Sequence, residues 1–334
     1  MKKKPVIGIT MGDFNGIGPE VIAKSLLDNK IISQSIPVII GNELVFKDIF
    51  NKLNIKKNIN LLLPPIYKNI LENSINIYSI IKLKNKDIKR GFSTEKGDIA
   101  AFQSLKEAIT LCLKGEIDAI VTGPLSKSSL NRRGHFFQGQ TEFIAKESGC
   151  EKYLMLMVSK QMKVGLVTTH HPLSDIPSLI SEKLIVEKCE ILYNSLRDDF
   201  NISNPLIGVC ALNPHAGDNK LFGDEEEKII KPAVKFLQKK GINIEGPFSS
   251  DSLFFKYRTS KFSAFLAMYH DQGLIPFKLI SFNKGVNYSA GLPLVRTSPD
   301  HGVGYDIATK MIADETSMKE AIKLAIKIVK RRSH

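Results

Sequence analysis

No apolar run in the chain approaches the roughly 20 residues that a bilayer-spanning helix needs. The opening MKKKPVIGIT passes straight into a strand-like segment, without the apolar stretch and cleavage site of a secretory leader. The expectation is a cytoplasmic protein that does not engage a membrane. Cysteine is scarce: Cys112, Cys150, Cys189 and Cys210 stand far apart with no CxxC pair, so neither a disulfide framework nor a cysteine-held zinc is suggested. Repeats, low-complexity tracts and long flexible linkers are missing as well. What remains, 334 residues at 43% hydrophobic, 24% charged and 8% aromatic, excludes disorder, collagen and coiled coil and provides for about two domains. Acidic residues are in deficit, 34 against 47 Lys and Arg, for a formal charge of +13. The lysines are scattered, as in Lys2 to Lys4, Lys82 to Lys89 and the terminal KIVKRRSH, with no interleaved aromatics to stack bases. Nucleic acid is therefore not the expected partner, and a small anionic substrate makes better use of the potential.

Short β-branched runs alternate with helical patterns: PVIGIT then PEVIAKSLLD, IPVII then ELVFKDIFNKL, INIYSI then a long amphipathic stretch, and then DAIVTG. Strand and helix in turn predict parallel βαβ units and an α/β fold. In the long stretch Phe102, Leu105, Ile109 and Cys112 form one stripe for burial against a sheet. The second half repeats the alternation with YLMLMVS, KVGLVTT, PLIGVCA and SAFLAMY as buried strands. Pro232 should kink or restart the helix in DEEEKIIKPAVKFLQKKG. A closing helix is expected to open at Ser317, with Glu320 as its capping-box partner.

Four features carry chemistry. In MGDFNGIGPE, Gly12, Gly16 and Gly18 allow close backbone approach ahead of a helix start, an arrangement suited to a cofactor phosphate. The spacing matches neither GxGxxG nor a Walker loop, so the segment reads equally well as a tight turn. Next, His170 in VTTHHP, His215 in ALNPHAG and His270 in AMYHDQG each follow an apolar strand-like run, where α/β enzymes place their chemistry. Three neutral imidazoles with an open position suit a catalytic divalent ion such as zinc. His171 competes with His170 for the first place. The run after His270 carries Lys278, Asn287 and Arg296, read as donors on converging loops that can hold a phosphate or carboxylate. Finally, VTGPLSK puts Lys127 just past a strand, and GQTEF follows with Thr141 at an expected helix N-cap.

Taken together, GIGPE, TGPLSK, VTTH, LNPHAG, MYHDQG, GVN and GLPLVRTSPDHG resemble, in order, the motifs of the 4-hydroxythreonine-4-phosphate dehydrogenase family of vitamin B6 biosynthesis, from residue 8 to about 305. That family is itself similar to the isocitrate and isopropylmalate decarboxylating dehydrogenases. The resemblance implies two α/β/α domains with a central cleft, residues 1–125 plus 275–334 forming one and residues 126–274 the other, which would carry a dimer interface. It implies NAD as cofactor and a divalent metal, zinc foremost with magnesium or cobalt as alternatives, held by His170, His215 and His270. Substrate contacts would come from Gln140, Thr141, Lys278, Asn287 and Arg296, with Asp251 and Lys127 as further catalytic or substrate-contacting candidates. The partner would be a second copy of the chain, completing the metal site across the interface with His270. One departure stands out: the family has GHTE where this chain has GQTE, so Gln140 replaces a histidine. Its amide can donate and accept a hydrogen bond but carries no proton charge near neutrality. The chemistry implied is oxidation and decarboxylation of 4-phosphohydroxy-L-threonine, with a phosphothreonate or phosphoerythronate as the alternative substrate.

Overall fold

The computed structural model describes residues 4–126, 139–259 and 261–333. The chain forms two compact units, Met1–Glu151 with Leu292–His334, and Lys152–Gly291. The first unit is discontinuous, and its boundaries differ from the expected 125/126 and 274/275. A cut at 274/275 would sever the helix His270–Ser281, whose Leu274 and Phe277 pack with Val164, Leu166 and Phe265 in one apolar cluster. No helix among the described residues is long and apolar enough to cross a membrane.

Strands are numbered in chain order. The first unit holds β1 (Val6–Thr10), β2 (Ile36–Gly41), β3 (Ile59–Leu61), β4 (Ile75–Ser79), β5 (Ala119–Thr122) and β12 (Val295–Pro299). Their order is β3-β4-β2-β1-β5-β12, with every pairing parallel. β1 and β5, inside this order, are buried on both faces and read as apolar runs without alternation. The helix Glu95–Leu113 starts where the Thr94 hydroxyl accepts the Gly97 N–H at 3.1 Å. Its buried stripe is Ala101, Leu105, Ala108 and Ile109, with Phe102 and Cys112 on the margin, so the expected stripe is turned slightly. Burial of Leu105 and Ile109, each at most 2% exposed, contributes about 1.5–3 kcal/mol apiece.

The second unit holds β6 (Leu154–Val158), β7 (Lys163–Leu166), β8 (Ile207–Cys210), β9 (Ile244–Phe248), β10 (Ala264–Ala267) and β11 (Val286–Ala290), in the order β11-β6-β7-β10-β8-β9. From β7 to β9 the pairings are parallel, but β11 with β6 and β6 with β7 are antiparallel. This corrects the expectation of parallel units throughout. The connection Ser159–Met162 is too short for a parallel crossover, and the Ser159 hydroxyl accepts the Gln161 and Met162 N–H groups to close a hairpin. Pro232 acts as expected, falling in the first turn of the helix Lys231–Lys239 directly after a π-helical segment, Glu226–Ile230. The closing helix spans Thr316–Arg332 with Glu315 at its N-cap and no side-chain cap. Ser317 lies inside it and accepts the Asp300 N–H at 2.9 Å, so the expected capping box is not formed.

Candidate functional site

Because β7, β10 and β8 are parallel neighbours, their carboxyl ends open on the same side, and the chain leaves them toward His170, His270 and His215 respectively. The exits are laced together. Thr168 donates its hydroxyl to the Met268 carbonyl at 2.7 Å. Gln272 accepts the Met268 N–H at 2.7 Å and donates to the Ala211 carbonyl at 2.6 Å. The outcome is a pair of rings, His170 and His270, with centroids 5.8 Å apart, near the separation of two imidazoles that share one ion. His171 is exposed, which resolves the choice between the two neighbours in favour of His170 as the member of this pair. Asp271 lies 2.7 Å from His270 Nδ1, the kind of carboxylate contact that fixes a ligand imidazole's tautomer.

His215 sits apart from that pair. It begins a run of six left-handed residues, His215 to Lys220, five of them not glycine. Such a run costs roughly 1–2 kcal/mol per residue with a side chain, so it must be held from outside. Glu226, 1% exposed, does part of this: one carboxylate oxygen accepts the Leu212 N–H at 2.8 Å and the Asn213 N–H at 2.7 Å. An open pocket of about 630 Å³ lies beside the loop, lined by His215, Asp251, Asp271 and Gln272 among others. Asp251 accepts the Ser249 hydroxyl at 2.5 Å; this bond, followed by backbone N–H groups and nearby His215, holds its carboxyl below the ordinary value. Among the described residues no three His, Cys, Asp or Glu come close enough together to hold a metal. Two of the three sequence-selected histidines are thus brought together, with the third on the adjoining strand exit.

The three donors expected on loops are on regular elements. Lys278 is exposed on the helix His270–Ser281, Asn287 lies on β11 and Arg296 on β12. The sequence around Asn287 and Arg296 reads as polar loop because both strands, VNYSA and VRTSP, are short and carry several polar residues. The Asn287 side-chain oxygen is buried with no hydrogen-bond partner among the described residues, an acceptor that a ligand's N–H or O–H would satisfy.

Arg296 is 2% exposed. Its Nη2 donates to Thr122 Oγ1 at 2.7 Å and Gln140 Oε1 at 3.2 Å, its Nε to Thr122 Oγ1 at 3.2 Å, and its Nη1 to Thr141 Oγ1 at 3.3 Å. Burial pushes the guanidinium down to about 10, against an opposing pull from Glu142. A buried arginine is a common anion-holding group because its planar donors match a phosphate or carboxylate. Thr141 is not the expected N-cap: Gly139 holds that position in the helix Gln140–Glu147, and the Thr141 hydroxyl serves Arg296. Thr122 escaped the sequence reading, although its place at the end of the strand in VTGPLSK was a signal. Lys127 lies outside the described residues.

The glycines of the first loop are spent on packing. A Cβ on Gly12, at φ +68°, would stand 2.2 Å from the Pro124 oxygen, one on Gly16 2.2 Å from Val303, and one on Gly18 2.6 Å from the Met11 oxygen. Buried Asp13 beside them accepts the Asn15 N–H at 2.9 Å and the Tyr305 hydroxyl at 2.5 Å. Burial raises its carboxyl above the ordinary value despite both bonds.

Within the second unit, histidines at neighbouring strand exits with a pocket beside them are the layout of an α/β enzyme's site for a small molecule. Residues 33–325 match the family described as Pyridoxal phosphate biosynthetic protein PdxA, and the chain belongs to that family. It is 40% identical to a 4-hydroxythreonine-4-phosphate dehydrogenase of a Sulfurihydrogenibium species, over 96% of this chain and 97% of that one. It is 39% identical to a D-threonate 4-phosphate dehydrogenase of Cupriavidus necator, over 98% of each chain. Among solved structures, 4-hydroxythreonine-4-phosphate dehydrogenase of Klebsiella pneumoniae superposes with a TM-score of 0.85 at 35% identity, covering 98% of both chains.

Proposed function

We propose that this protein catalyses the NAD-dependent, metal-dependent oxidation and decarboxylation of 4-phosphohydroxy-L-threonine in pyridoxal 5'-phosphate biosynthesis. When bound, NAD+ would serve as the hydride acceptor for the C3 carbinol, and the β-keto acid so formed would lose CO2 to give 3-amino-2-oxopropyl phosphate. The observation that carries this reading is the His170–His270 pair, 5.8 Å between centroids at the ends of adjacent strands, with His215 on the next exit. These three side chains would hold the divalent ion, zinc foremost, with magnesium or cobalt as alternatives. When bound, the ion supplies a Lewis acid toward the C3 oxygen.

The chain's own residues supply the rest. Arg296 and Lys278 bind the phosphate and carboxylate, and Thr141, Gln140 and Asn287 orient the substrate through neutral hydrogen bonds. Binding energy from these remote groups is spent on alignment at C3. Asp251 receives the substrate's amino group, and Lys127 or Lys278 moves the proton. The partner is a second copy of the chain, and the metal site would be completed at that interface. Support for a dimer comes from the helix His270–Ser281 and the residue after it, where Ile275, Leu279 and Phe282 form an apolar stripe exposed at 60%, 81% and 76%.

A second reading, a 4-phosphorylated threonate as substrate, is favoured by the Cupriavidus relative and by Gln140. An amide at that position can serve a hydroxyl as well as an amino group. The test supplies NAD+ and metal with either 4-phosphohydroxy-L-threonine or D-threonate 4-phosphate, following NADH absorbance and released CO2. Higher kcat/KM on the amino acid supports the first reading, higher kcat/KM on the threonate supports the second, and NADH from neither contradicts both.

A further inference from the structure

β8 ends at Cys210, and the chain soon enters the left-handed run that begins at His215. Among the described residues, only Glu225 and Glu226 offer a side-chain hydrogen bond to residues 212–220. Pro232, which has no N–H to give the turn before it, is preceded by the π-helical turn Glu226–Ile230. At the head of this turn Glu225 and Glu226 both reach the Asn213 side-chain amide, at 2.7 and 3.0 Å. Glu226 engages the segment a second way, through Oε1, which accepts the Leu212 and Asn213 N–H groups at 2.8 and 2.7 Å. Further in, the segment folds back over the same carboxylate: a Cβ on Gly217, at φ +80°, would stand 2.8 Å from Glu226 Oε2 and 3.2 Å from the Gly223 oxygen. Burying a carboxylate is costly, and charge-assisted bonds of this kind offset the cost only while the segment keeps its shape. What the segment presents outward is His215, which is exposed, lines the pocket beside Asp251 and Gln272, and packs on Phe222 with 6.1 Å between ring centroids.

We propose that Glu226 is a positioning residue for the metal site: by holding the backbone at Leu212 and Asn213 and backing Gly217, it fixes where His215 is presented to the pocket. This rests on the reading of His215 as a ligand of the divalent ion. Glu226 acts through the loop and does not touch the ion. In Glu226→Gln the side chain keeps its shape but loses its charge and turns a donor toward groups that donate, so the left-handed run relaxes and His215 leaves its place.

The test titrates zinc by calorimetry into chelator-stripped full-length wild type, Glu226→Gln, His215→Ala and the double variant Glu226→Gln/His215→Ala. The visible absorption of each with cobalt bound, and the Tm of each without metal, are recorded alongside. Glu226→Gln should raise the zinc Kd by roughly 10–100-fold, the usual range when a residue supporting the ligands is lost, and give a cobalt spectrum like that of His215→Ala. The double variant should bind zinc no more weakly than His215→Ala alone. Unchanged zinc Kd and cobalt spectrum in Glu226→Gln, whatever its Tm, would overturn the proposal by making the carboxylate a support of the fold alone. Additive losses in the double variant would overturn it too, by separating Glu226 from His215. Should Glu226→Gln not fold, Asn213→Ala, which removes only the side-chain bonds to Glu225 and Glu226, takes its place in the same comparisons. An unchanged zinc Kd in His215→Ala would instead remove His215 from the metal site, a distinct failure that takes the ground of the proposal with it.

Discussion

Replacing Gly12 by alanine asks whether the first glycine loop serves packing or a ligand. The backbone there is left-handed, φ +68°, and an added Cβ would stand 2.2 Å from the Pro124 oxygen and 2.9 Å from the Gly123 carbonyl carbon. Neither neighbour is a flexible side-chain tip. The Pro124 oxygen also accepts the Asp13 N–H at 3.0 Å, so moving it breaks a bond that ties the loop to the β5 exit. The left-handed conformation costs about 1–2 kcal/mol with a Cβ, and forcing extra volume into a packed site about 1–3 kcal/mol more. The sum, about 2–5 kcal/mol, corresponds to a fall in Tm of roughly 3–7 °C for a chain of this length. Scanning calorimetry of the two proteins reads this directly, and KM for NAD+ measured below the transition reads any ligand role. A Tm within about 1 °C of wild type with KM for NAD+ raised tenfold or more would refute the packing assignment and return the loop to cofactor binding.

Asp13→Asn isolates one buried carboxyl. Because burial holds the Asp13 carboxyl above its ordinary 3.8, its favourable contribution is fully present below that value and lost as pH rises through the folded-state value. Urea unfolding of the two proteins should therefore show the difference shifting in favour of the amide variant as pH rises from about 4 toward 7, and a pH-independent difference would contradict the burial argument. Gln140→His should change substrate KM more than the pH dependence of kcat/KM, since the wild-type side chain serves Arg296 as a neutral acceptor at 3.2 Å; a new ionisation seen in the variant alone would count against that role. Leu279→Glu, at 81% exposure on the apolar stripe, should convert a dimer to monomers in sedimentation velocity, and an unchanged sedimentation coefficient would place the interface elsewhere.

The strands were legible because they are apolar, short and bounded by helices; all eight named segments contain one. Those missed had reasons. β3 is three residues long with no buried one, β9 is interrupted by Gly246 and Pro247, and β11 and β12 are largely polar, with Asn287 and Ser289 in one and Arg296, Thr297 and Ser298 in the other. The antiparallel β6–β7 hairpin was hidden by assuming a crossover between strands too close in sequence to have one. The histidines were visible from their shared place after apolar runs, but composition gives no clue that β10 lies between β7 and β8, which is what sets His270 beside His170. Thr141 looked like a cap because threonine before an apolar helical stretch usually is one. The register of β5 against β12 brings Thr122 beside a buried arginine, and the placement of the helix Gln140–Glu147 brings the Thr141 hydroxyl to the same guanidinium; neither is visible in the sequence.

Chelator-treated protein, assayed with NAD+ and the preferred 4-phosphorylated substrate before and after zinc, magnesium or cobalt is restored, gives the most direct test that the strand-end histidines hold a catalytic ion. NADH and CO2 formed together, lost on chelation, regained with metal, and not regained in His170→Ala or His270→Ala protein of wild-type Tm is the predicted result. Full activity in chelated protein proven metal-free by elemental analysis, or undiminished metal response in both histidine variants, would contradict it.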